Sequence, residues 1–378
     1  MNTIVHLITP YLFHTGSWIY SQLTWSKQYR PVVFTQRNLM DAQFPWNDVY
    51  GPEKFPLPKR FVNKVYRKLT NDFGMFYNGF VNELRPKLFH AHMGEEGTRW
   101  LKFVERTQIP LICTFYGMDV SKSGRLPYWK KRYQELFRYG QFFLAEGNYL
   151  KKQLVDLGCP EDKIIVQHLG VDLEKYPVKQ YSRDLGVRKT VVIQVSSFRE
   201  KKGIEYSLEA IARLRKAGIE LEFRLIGSGN TEESQNRIVS LIDRYGIQDS
   251  VCLLGAKTHS ETIIEMKNAD IFLHPSVTAT DGDNEGGAPV GIIEASALGL
   301  PIVSTFHADI PEVVINNRSG LLASERDTEG LANALLQLIR NQEQQATMGA
   351  FGRRHIELEY NIRKQILKLE HIYDQCHA

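Results

Sequence analysis

Three cations stand together in one turn of the sequence. Arg199, Lys201 and Lys202 follow an apolar run that ends at Val195 and precede a helical pattern that begins after Gly203. A helix N-terminus carries partial positive charge, so a lysine there is unfavourable unless the helix end and the side chain share an anion. The turn therefore indicates either a phosphate-binding site or an ordinary solvated surface turn, because runs of charge are usually solvated.

A second stretch combines carboxylates with glycines just before a helix. In order along the chain it contains Asp281, Asp283, Glu285, Gly286, Gly287, Pro289 and Glu294. Glycines before a helix leave backbone N–H groups open to a ligand, and carboxylates accept hydrogen bonds from sugar hydroxyls. The acidic residues lack the full spacing of a calcium-binding loop, so we predict no metal site. A plain acidic surface loop is the alternative.

A shorter signal is Gly227-Ser228-Gly229, which follows a predicted strand over residues 222–226. Glycines at such a turn let the backbone approach a ligand closely. A pair of glycines is also common in tight turns. This segment therefore indicates a ligand site only in combination with the cationic turn and the acidic, glycine-containing stretch.

Strands and helices alternate along the whole chain. In the first half we predict strands over residues 3–8, 32–35, 88–92, 110–115 and 142–145. In the second half we predict strands over residues 191–195, 222–226, 251–254, 271–274, 302–304 and 320–323. This alternation predicts an α/β protein with parallel sheets and right-handed crossovers, and two such blocks predict two Rossmann-like domains.

We place the two domains at residues 1–175 and 183–357, with a polar linker over 172–183. A C-terminal helix at about 358–378 is expected to cross back to the first domain. A long amphipathic helical stretch is predicted over 61–84, and a final helical run over 353–374. Open α/β sheets bind ligands beyond the carboxyl ends of their strands. The cationic turn and the acidic, glycine-containing loop both follow such strand ends.

Composition narrows the class of protein. The chain has 378 residues, of which 43% are hydrophobic and 24% charged, which is ordinary for a globular protein. Its four cysteines form no CxxC pair, so a disulfide framework or a zinc site is not expected. The chain carries no signal-peptide pattern and no run of about 20 apolar residues. We therefore expect a cytoplasmic protein.

The motifs occur in a recognisable order. The second half contains Lys202 before Gly203, then Gly227-x-Gly229, then Glu285-Gly286 and Glu294-Ala295. The first half contains the segments Phe89-His90-Ala91-His92, Thr114-Phe115-Tyr116-Gly117-Met118-Asp119-Val120 and His168-Leu169-Gly170-Val171-Asp172. Over nearly its whole length the chain resembles glycosyltransferase family 4. The similarity is greatest to bacterial enzymes that build exopolysaccharide and lipopolysaccharide.

The resemblance implies a GT-B fold, two facing Rossmann-like domains of which the first binds the acceptor and the second the donor. It also implies a retaining hexosyltransferase that uses a UDP-, GDP- or ADP-sugar and needs no metal or other cofactor. Lys202 would neutralise the diphosphate, Glu285 would bind the donor hexose and Glu294 the ribose. Further donor-binding positions would be Gly16, Tyr116, Gly227, Gly229, Gly286 and Gly287.

The sequence departs from the family pattern in three places. Ser197 stands where the family has an arginine, and Arg199 is the candidate to replace it as a catalytic cation. Eight residues separate Glu285 from Glu294, where seven are usual. Tyr116 stands where many members have a histidine, and a tyrosine can hold a hydroxyl but cannot support a cationic transition state.

The sequence is also compatible with two other functions. One alternative is a sugar-nucleotide 2-epimerase on the same fold, and another is a non-catalytic partner subunit. A dehydrogenase is disfavoured because no G-x-G-x-x-G follows the first strand.

The expected partners are the nucleotide-sugar donor and a glycan or lipid-linked acceptor. Residues 1–178 contain 24 Lys and Arg against 16 Asp and Glu, whereas the remainder has a net charge of −4. Two basic segments with aromatic residues, 59–68 and 128–133, suit an anionic membrane surface at the inner face. Solvated helix faces are the alternative, and no nucleic-acid-binding motif is present.

Overall fold

The computed structural model describes residues 1–12, 16–39, 43–179, 189–229 and 231–376. The chain divides into two compact units, Met1–Val171 with Ile362–Ala378, and Asp172–Asn361. Each unit is built on a parallel sheet, as predicted. The predicted linker lies partly outside the described residues.

The first unit contains a seven-stranded sheet in the order β3-β2-β1-β4-β5-β6-β7. Its strands are β1 (Asn2–Leu7), β2 (Tyr29–Phe34), β3 (Val49–Tyr50), β4 (Leu88–His92), β5 (Leu111–Phe115), β6 (Phe142–Ala145) and β7 (Ile164–Val166). Its first helices are α1 (Ser17–Trp25), α2 (Leu57–Thr70), α3 (Asn78–Leu84), α4 (Gly94–Thr107), α5 (Met118–Ser121), α6 (Pro127–Tyr139) and α7 (Asn148–Asp156). Strands such as β5 are buried at every residue because helices cover both faces of a parallel sheet.

The second unit contains a six-stranded sheet in the order β10-β9-β8-β11-β12-β13. Its strands are β8 (Thr190–Val195), β9 (Leu221–Ile226), β10 (Val251–Gly255), β11 (Ile271–His274), β12 (Ile302–Thr305) and β13 (Gly320–Ala323). Its helices are α8 (Ile204–Lys216), α9 (Glu232–Tyr245), α10 (His259–Lys267), α11 (Val290–Ala297), α12 (Ile310–Val313), α13 (Thr328–Ile339) and α14 (Gln342–Glu359). This strand order is that of the Rossmann fold.

The last helix, α15 (Ile362–Gln375), belongs to the first unit. Its apolar face packs beneath the sheet, where Leu369 and Tyr373 join the core that contains Ile4 and Leu88. The carboxylate of Glu370 accepts hydrogen bonds of 2.8–2.9 Å from two backbone N–H groups and the Ser26 hydroxyl in the turn before β2. These contacts confirm the predicted return of the C-terminal helix.

Two of the predicted helical stretches are interrupted. The stretch over 61–84 is two helices, α2 and α3, because Asn71 adopts a left-handed conformation with φ of 53° and ends α2. The run over 353–374 breaks after Glu359, where α14 ends and α15 follows two residues later. The strands β3 and β7 were not predicted, since segments of two and three residues carry no readable period.

Candidate functional site

The chemistry-bearing residues of the second unit converge on one edge of its sheet. Strand order reverses between β8 and β11, and this is the switch point at which such sheets bind ligands. The cationic turn follows β8, the glycine pair follows β9, and the acidic loop runs from β11 to α11. The structure thus brings together residues that lie about 80 positions apart in sequence.

The cationic turn is fixed by its backbone. Gly203 has φ of 63°, and a Cβ at this position would lie 1.8 Å from the carbonyl oxygen of Pro275. The side-chain amide of buried Gln194 donates to the carbonyl of Lys202 at 2.9 Å. This close packing of the turn against the end of β11 points Lys202 toward the acidic loop.

Lys202 forms an ion pair with Glu285. The distance from Nζ to Oε2 is 2.8 Å, and the Glu285 side chain is only 6% exposed. The other carboxylate oxygen, Oε1, accepts a hydrogen bond of 2.9 Å from Ser276. Burial alone would raise the pKa of Glu285, but the charges of Lys202 and Lys201 and the neighbouring His274 together outweigh it and hold the pKa well below its usual range. Glu285 is therefore a carboxylate at neutral pH.

Next to this pair lies an imidazole without a hydrogen bond. His274 is 1% exposed, and neither of its ring nitrogens has a hydrogen-bond partner among the described residues. Its Nε2 lies 3.8 Å from Oε1 of Glu285, which is too long for a hydrogen bond. Burial lowers the pKa of His274, so the ring is neutral. Buried polar atoms are rarely left unpaired, which makes this a place where a ligand or water is expected.

Asp283 is neutralised by two cations. Arg199 contacts one of its oxygens, and Nζ of Lys201 lies 3.1 Å from the other. Lys201 is buried and also donates to the carbonyl of Asn284 at 2.7 Å. Asp283 thus holds the acidic loop to the cationic turn. Lys201 is committed to this anchor, whereas the Arg199 side chain remains 36% exposed.

The glycines before α11 behave differently from each other. We expected both to present N–H groups to a ligand, but the N–H of Gly286 donates to the side chain of Asn284 at 2.9 Å. The N–H of Glu285 is also occupied, by Nε2 of His307 at 3.2 Å. The N–H of Gly287 has no such partner within the described residues. In this structure the loop uses the N–H of Gly286 to hold its own shape, and the donor-binding role of Gly286 stays a prediction.

Glu294 lies in α11 and has two donors on one oxygen. The hydroxyl of Tyr176 donates to Oε1 at 2.7 Å, and Nε2 of His259 lies 2.9 Å from the same atom. The hydrogen bond to Glu294 raises the pKa of His259 above its ordinary value. Among the described residues, no hydrogen bond or ion pair is made to Oε2. One carboxylate oxygen is thus held in place while the other remains able to accept hydrogen bonds.

Close packing in the Gly227-x-Gly229 turn leaves no room for a side chain at Gly227. Gly227 has φ of 138°, and a Cβ there would lie 1.8 Å from the carbonyl oxygen of Ser196. The N–H of Gly229 donates to the side chain of Gln235 at 3.1 Å. The turn therefore packs the ends of β8 and β9 together.

A cavity of about 800 Å³ opens nearby, lined by Phe198, Arg199 and the first turn of α9, but Lys202, Glu285 and Glu294 do not line it.

Two of the predicted donor-binding residues, Tyr116 and Gly16, belong to the first unit. The hydroxyl of Tyr116 lies 2.7 Å from Nδ1 of His92, and Nε2 of His92 lies 2.9 Å from Nδ1 of His6. Gly16 is buried and its carbonyl accepts the first hydrogen bonds of α1. Tyr116 is thus the end of a chain of buried imidazoles.

Three buried histidines in this unit, His6, His90 and His92, offer ring nitrogens within 4.8 Å of one another, a spacing that could hold a metal ion. Burial lowers the pKa of each, that of His6 to about 3, so all three are neutral. Both nitrogens of His90 are engaged, by Tyr373 at 2.8 Å and Thr114 at 2.7 Å. Five of the six ring nitrogens thus have hydrogen-bond partners within the first unit.

Several residues of the site were not predicted from the sequence. Ser276, His274, Tyr176 and His259 all contact or adjoin the predicted carboxylates. Tyr176 lies in the segment interpreted as a linker, and His259 is the first residue of a helix whose capping-box sequence, Thr258-x-x-Glu261, predicts a helix start but not a contact to Glu294. Of these residues, only His274 and Ser276 could have been predicted, because polar residues at the end of a strand of a parallel sheet often lie at the ligand site.

Two family models match the chain. Residues 24–175 match the model described as Glycosyltransferase Family 4, and residues 179–355 match Glycosyl transferases group 1. Among solved structures, Anabaena HepE in complex with UDP aligns over 99% of this chain and 100% of its own with a TM-score of 0.80 and 15% identity. Sucrose-phosphate synthase of Thermosynechococcus elongatus aligns over 99% of both chains with a TM-score of 0.76 and 16% identity. These similarities confirm the GT-B fold.

Curated relatives are more similar in sequence. WcaL of Escherichia coli, whose name assigns it to colanic acid biosynthesis, is 37% identical over 66% of this chain and 61% of its own length. The amylovoran biosynthesis glycosyltransferase AmsK of Erwinia amylovora is 35% identical over 72% of this chain and 66% of its own. The matched region thus spans slightly less than two thirds of each relative. With both halves matched by glycosyltransferase models and the motifs in the family's order, the chain belongs to glycosyltransferase family 4.

Proposed function

We propose that the protein transfers a hexose from a nucleoside-diphosphate sugar to a glycan or lipid-linked acceptor during bacterial exopolysaccharide synthesis, with retention of the anomeric configuration. The observation that carries the proposal is the buried Lys202–Glu285 pair at the switch point of the second sheet, beside the N-terminus of α11. The names of the relatives WcaL and AmsK support the pathway class.

The leaving group of such a transfer is a nucleoside diphosphate, whose negative charge grows as the sugar departs. Lys202, Arg199 and the open N–H of Gly287 would stabilise that charge without reorganising at the moment of reaction. Arg199 fits the role of the family arginine missing at Ser197, since its side chain is partly exposed. We therefore expect no requirement for a metal ion.

The two glutamates divide the donor between them. Glu285 is ionised and buried beside the unpaired imidazole of His274. Glu285 would accept hydrogen bonds from hexose hydroxyls, and His274 would donate to or accept from them. Glu294 keeps Oε2 available while Tyr176 and His259 hold Oε1, an arrangement suited to a ribose diol. The UDP in the HepE structure supports a nucleotide donor by analogy of fold.

The acceptor would be reached at the inner face of the membrane. No helix among the described residues is long and apolar enough to cross a bilayer. We propose peripheral binding to anionic lipid, because the basic, aromatic-containing segments 59–68 and 128–133 suit such a surface.

The test is a transfer assay with purified protein. UDP-, GDP- and ADP-hexoses are each incubated with a lipid-linked acceptor fraction in excess EDTA. We expect one donor to release nucleoside diphosphate with formation of an acceptor-linked sugar, whose anomeric configuration is read by NMR. An inverted product would reject retention. Release of the free epimerised sugar would favour the 2-epimerase, and no turnover with any donor would favour a non-catalytic subunit.

A further inference from the structure

Helix α2 turns its apolar residues outward. Leu57, Phe61, Val65 and Leu69 recur every fourth residue and form one stripe. Leu57 is 76% exposed, Phe61 71% and Leu69 80%, and Val62 widens the stripe. An ordinary surface helix of a globular protein buries such a face against the core. The stripe is therefore an exposed apolar surface of the first unit.

The inner face of the same helix is polar. Asn63 is the only fully buried residue of α2, and its amide donates to Gln36 at 2.9 Å. Tyr66 donates to Asp72 at 2.7 Å, and Arg60 donates to the carbonyl of Phe55 at 2.8 Å. The helix is thus anchored to the first unit by hydrogen bonds, and its orientation with the apolar stripe outward is fixed by them.

The stripe is bordered by cations. Residues 57–70 contain five Lys and Arg and no Asp or Glu. Lys64 and Lys68 lie along one border of the stripe and are exposed. At the end of α2, the side chain of Asn71 donates to the hydroxyl of Tyr128 at 3.1 Å, which places the first turn of α6 beside it. The surface formed by α2 and this turn therefore combines exposed apolar and basic residues.

We propose that α2 lies in the interfacial region of an anionic lipid bilayer, with its apolar stripe inserted among the acyl chains and its lysines at the head groups. An apolar face with a basic border is the pattern of interfacial helices. A second copy of the chain fits less well, because two such helices would bring like charges together. The inference rests on the proposed function in one respect: membrane binding by α2 would hold the enzyme near a lipid-linked acceptor.

The experiment is co-sedimentation of the full chain with phosphatidylcholine vesicles, with and without phosphatidylglycerol, at low and high salt. Wild-type protein is expected to bind the anionic vesicles, and part of that binding should persist at high salt because apolar insertion is not screened. Phe61→Gln/Leu69→Gln should lower the partition coefficient by about tenfold or more and remove the salt-resistant part. Lys64→Gln/Lys68→Gln should remove mainly the salt-sensitive part.

The matched control is Ile264→Gln/Leu367→Gln, which alters two exposed apolar residues of α10 and α15. It should bind vesicles as wild type does. Equal binding by Phe61→Gln/Leu69→Gln and wild type, or no binding by wild type, would overturn the proposal. Dimerisation of the wild type without lipid, abolished in the same variant, would assign the stripe to a second copy. Donor turnover without vesicles tests the proposed function separately.

Discussion

Replacing Lys202 with methionine separates its role in catalysis from its role in the fold. The variant leaves the buried carboxylate of Glu285 without its nearest cation. Breaking a buried ion pair costs roughly 3–5 kcal/mol. Here Lys202 is 17% exposed, Ser276 keeps its hydrogen bond, and Nζ of Lys201 stays 3.9 Å away. We therefore expect a loss of about 1–3 kcal/mol, or roughly 3–8 °C in Tm for a unit of this size.

The double variant Lys202→Met/Glu285→Gln removes the unpaired charge, so most of the lost Tm should return. Activity should not return, because a cation at the leaving diphosphate contributes on the order of 100-fold or more to turnover. Both variants are measured by thermal unfolding and by release of nucleoside diphosphate. Full activity in Lys202→Met, or recovery of activity together with stability in the double variant, would refute the catalytic role of Lys202.

Three further predictions follow from the same geometry. Glu294→Ala should raise the KM for the donor by about 10- to 100-fold with little change in kcat, and a change in kcat alone would exclude the ribose role. His259→Gln should lower Tm most at acidic pH: the paired His259 has a pKa above 6.5, so its stabilising effect is complete below about pH 6.5 and is lost as the pH rises through the folded-state pKa. A Tm difference that does not change with pH would contradict this. Excess EDTA should leave turnover unchanged, whereas a loss that magnesium or manganese restores would contradict metal independence.

Much of the fold was predictable because its signal is local and repeated. The six strands of the second sheet lie within one residue of their predicted bounds, since each is a short, mostly apolar segment between helical patterns. The break between α2 and α3 was not predictable in the same way. It depends on a left-handed Asn71, and asparagine also occurs inside helices.

The site was predictable to the level of its main side chains. Lys202 and Glu285 each follow a strand end, so parallel-sheet topology alone places them at one edge. The partners of Glu294 could not be predicted in this way, because its hydrogen bonds to Tyr176 and His259 join segments 118 and 35 residues apart. No local sequence pattern indicates either contact. The outward stripe of α2 was likewise hidden, because an amphipathic period shows that a helix has an apolar face but not which way it points.

Binding of the donor to the second unit is the central claim, and thermal unfolding tests it directly. Wild-type protein and Glu294→Ala are each heated with UDP-, GDP- and ADP-sugars in EDTA. A ligand that binds only the folded state raises its stability by RT ln(1 + [L]/Kd), so the rise in Tm at a fixed concentration is larger for the tighter binder. We predict that one nucleotide sugar raises the Tm of the wild type and that the same concentration raises that of Glu294→Ala much less. No shift with any nucleotide sugar, or an equal shift in both proteins, would contradict the assignment.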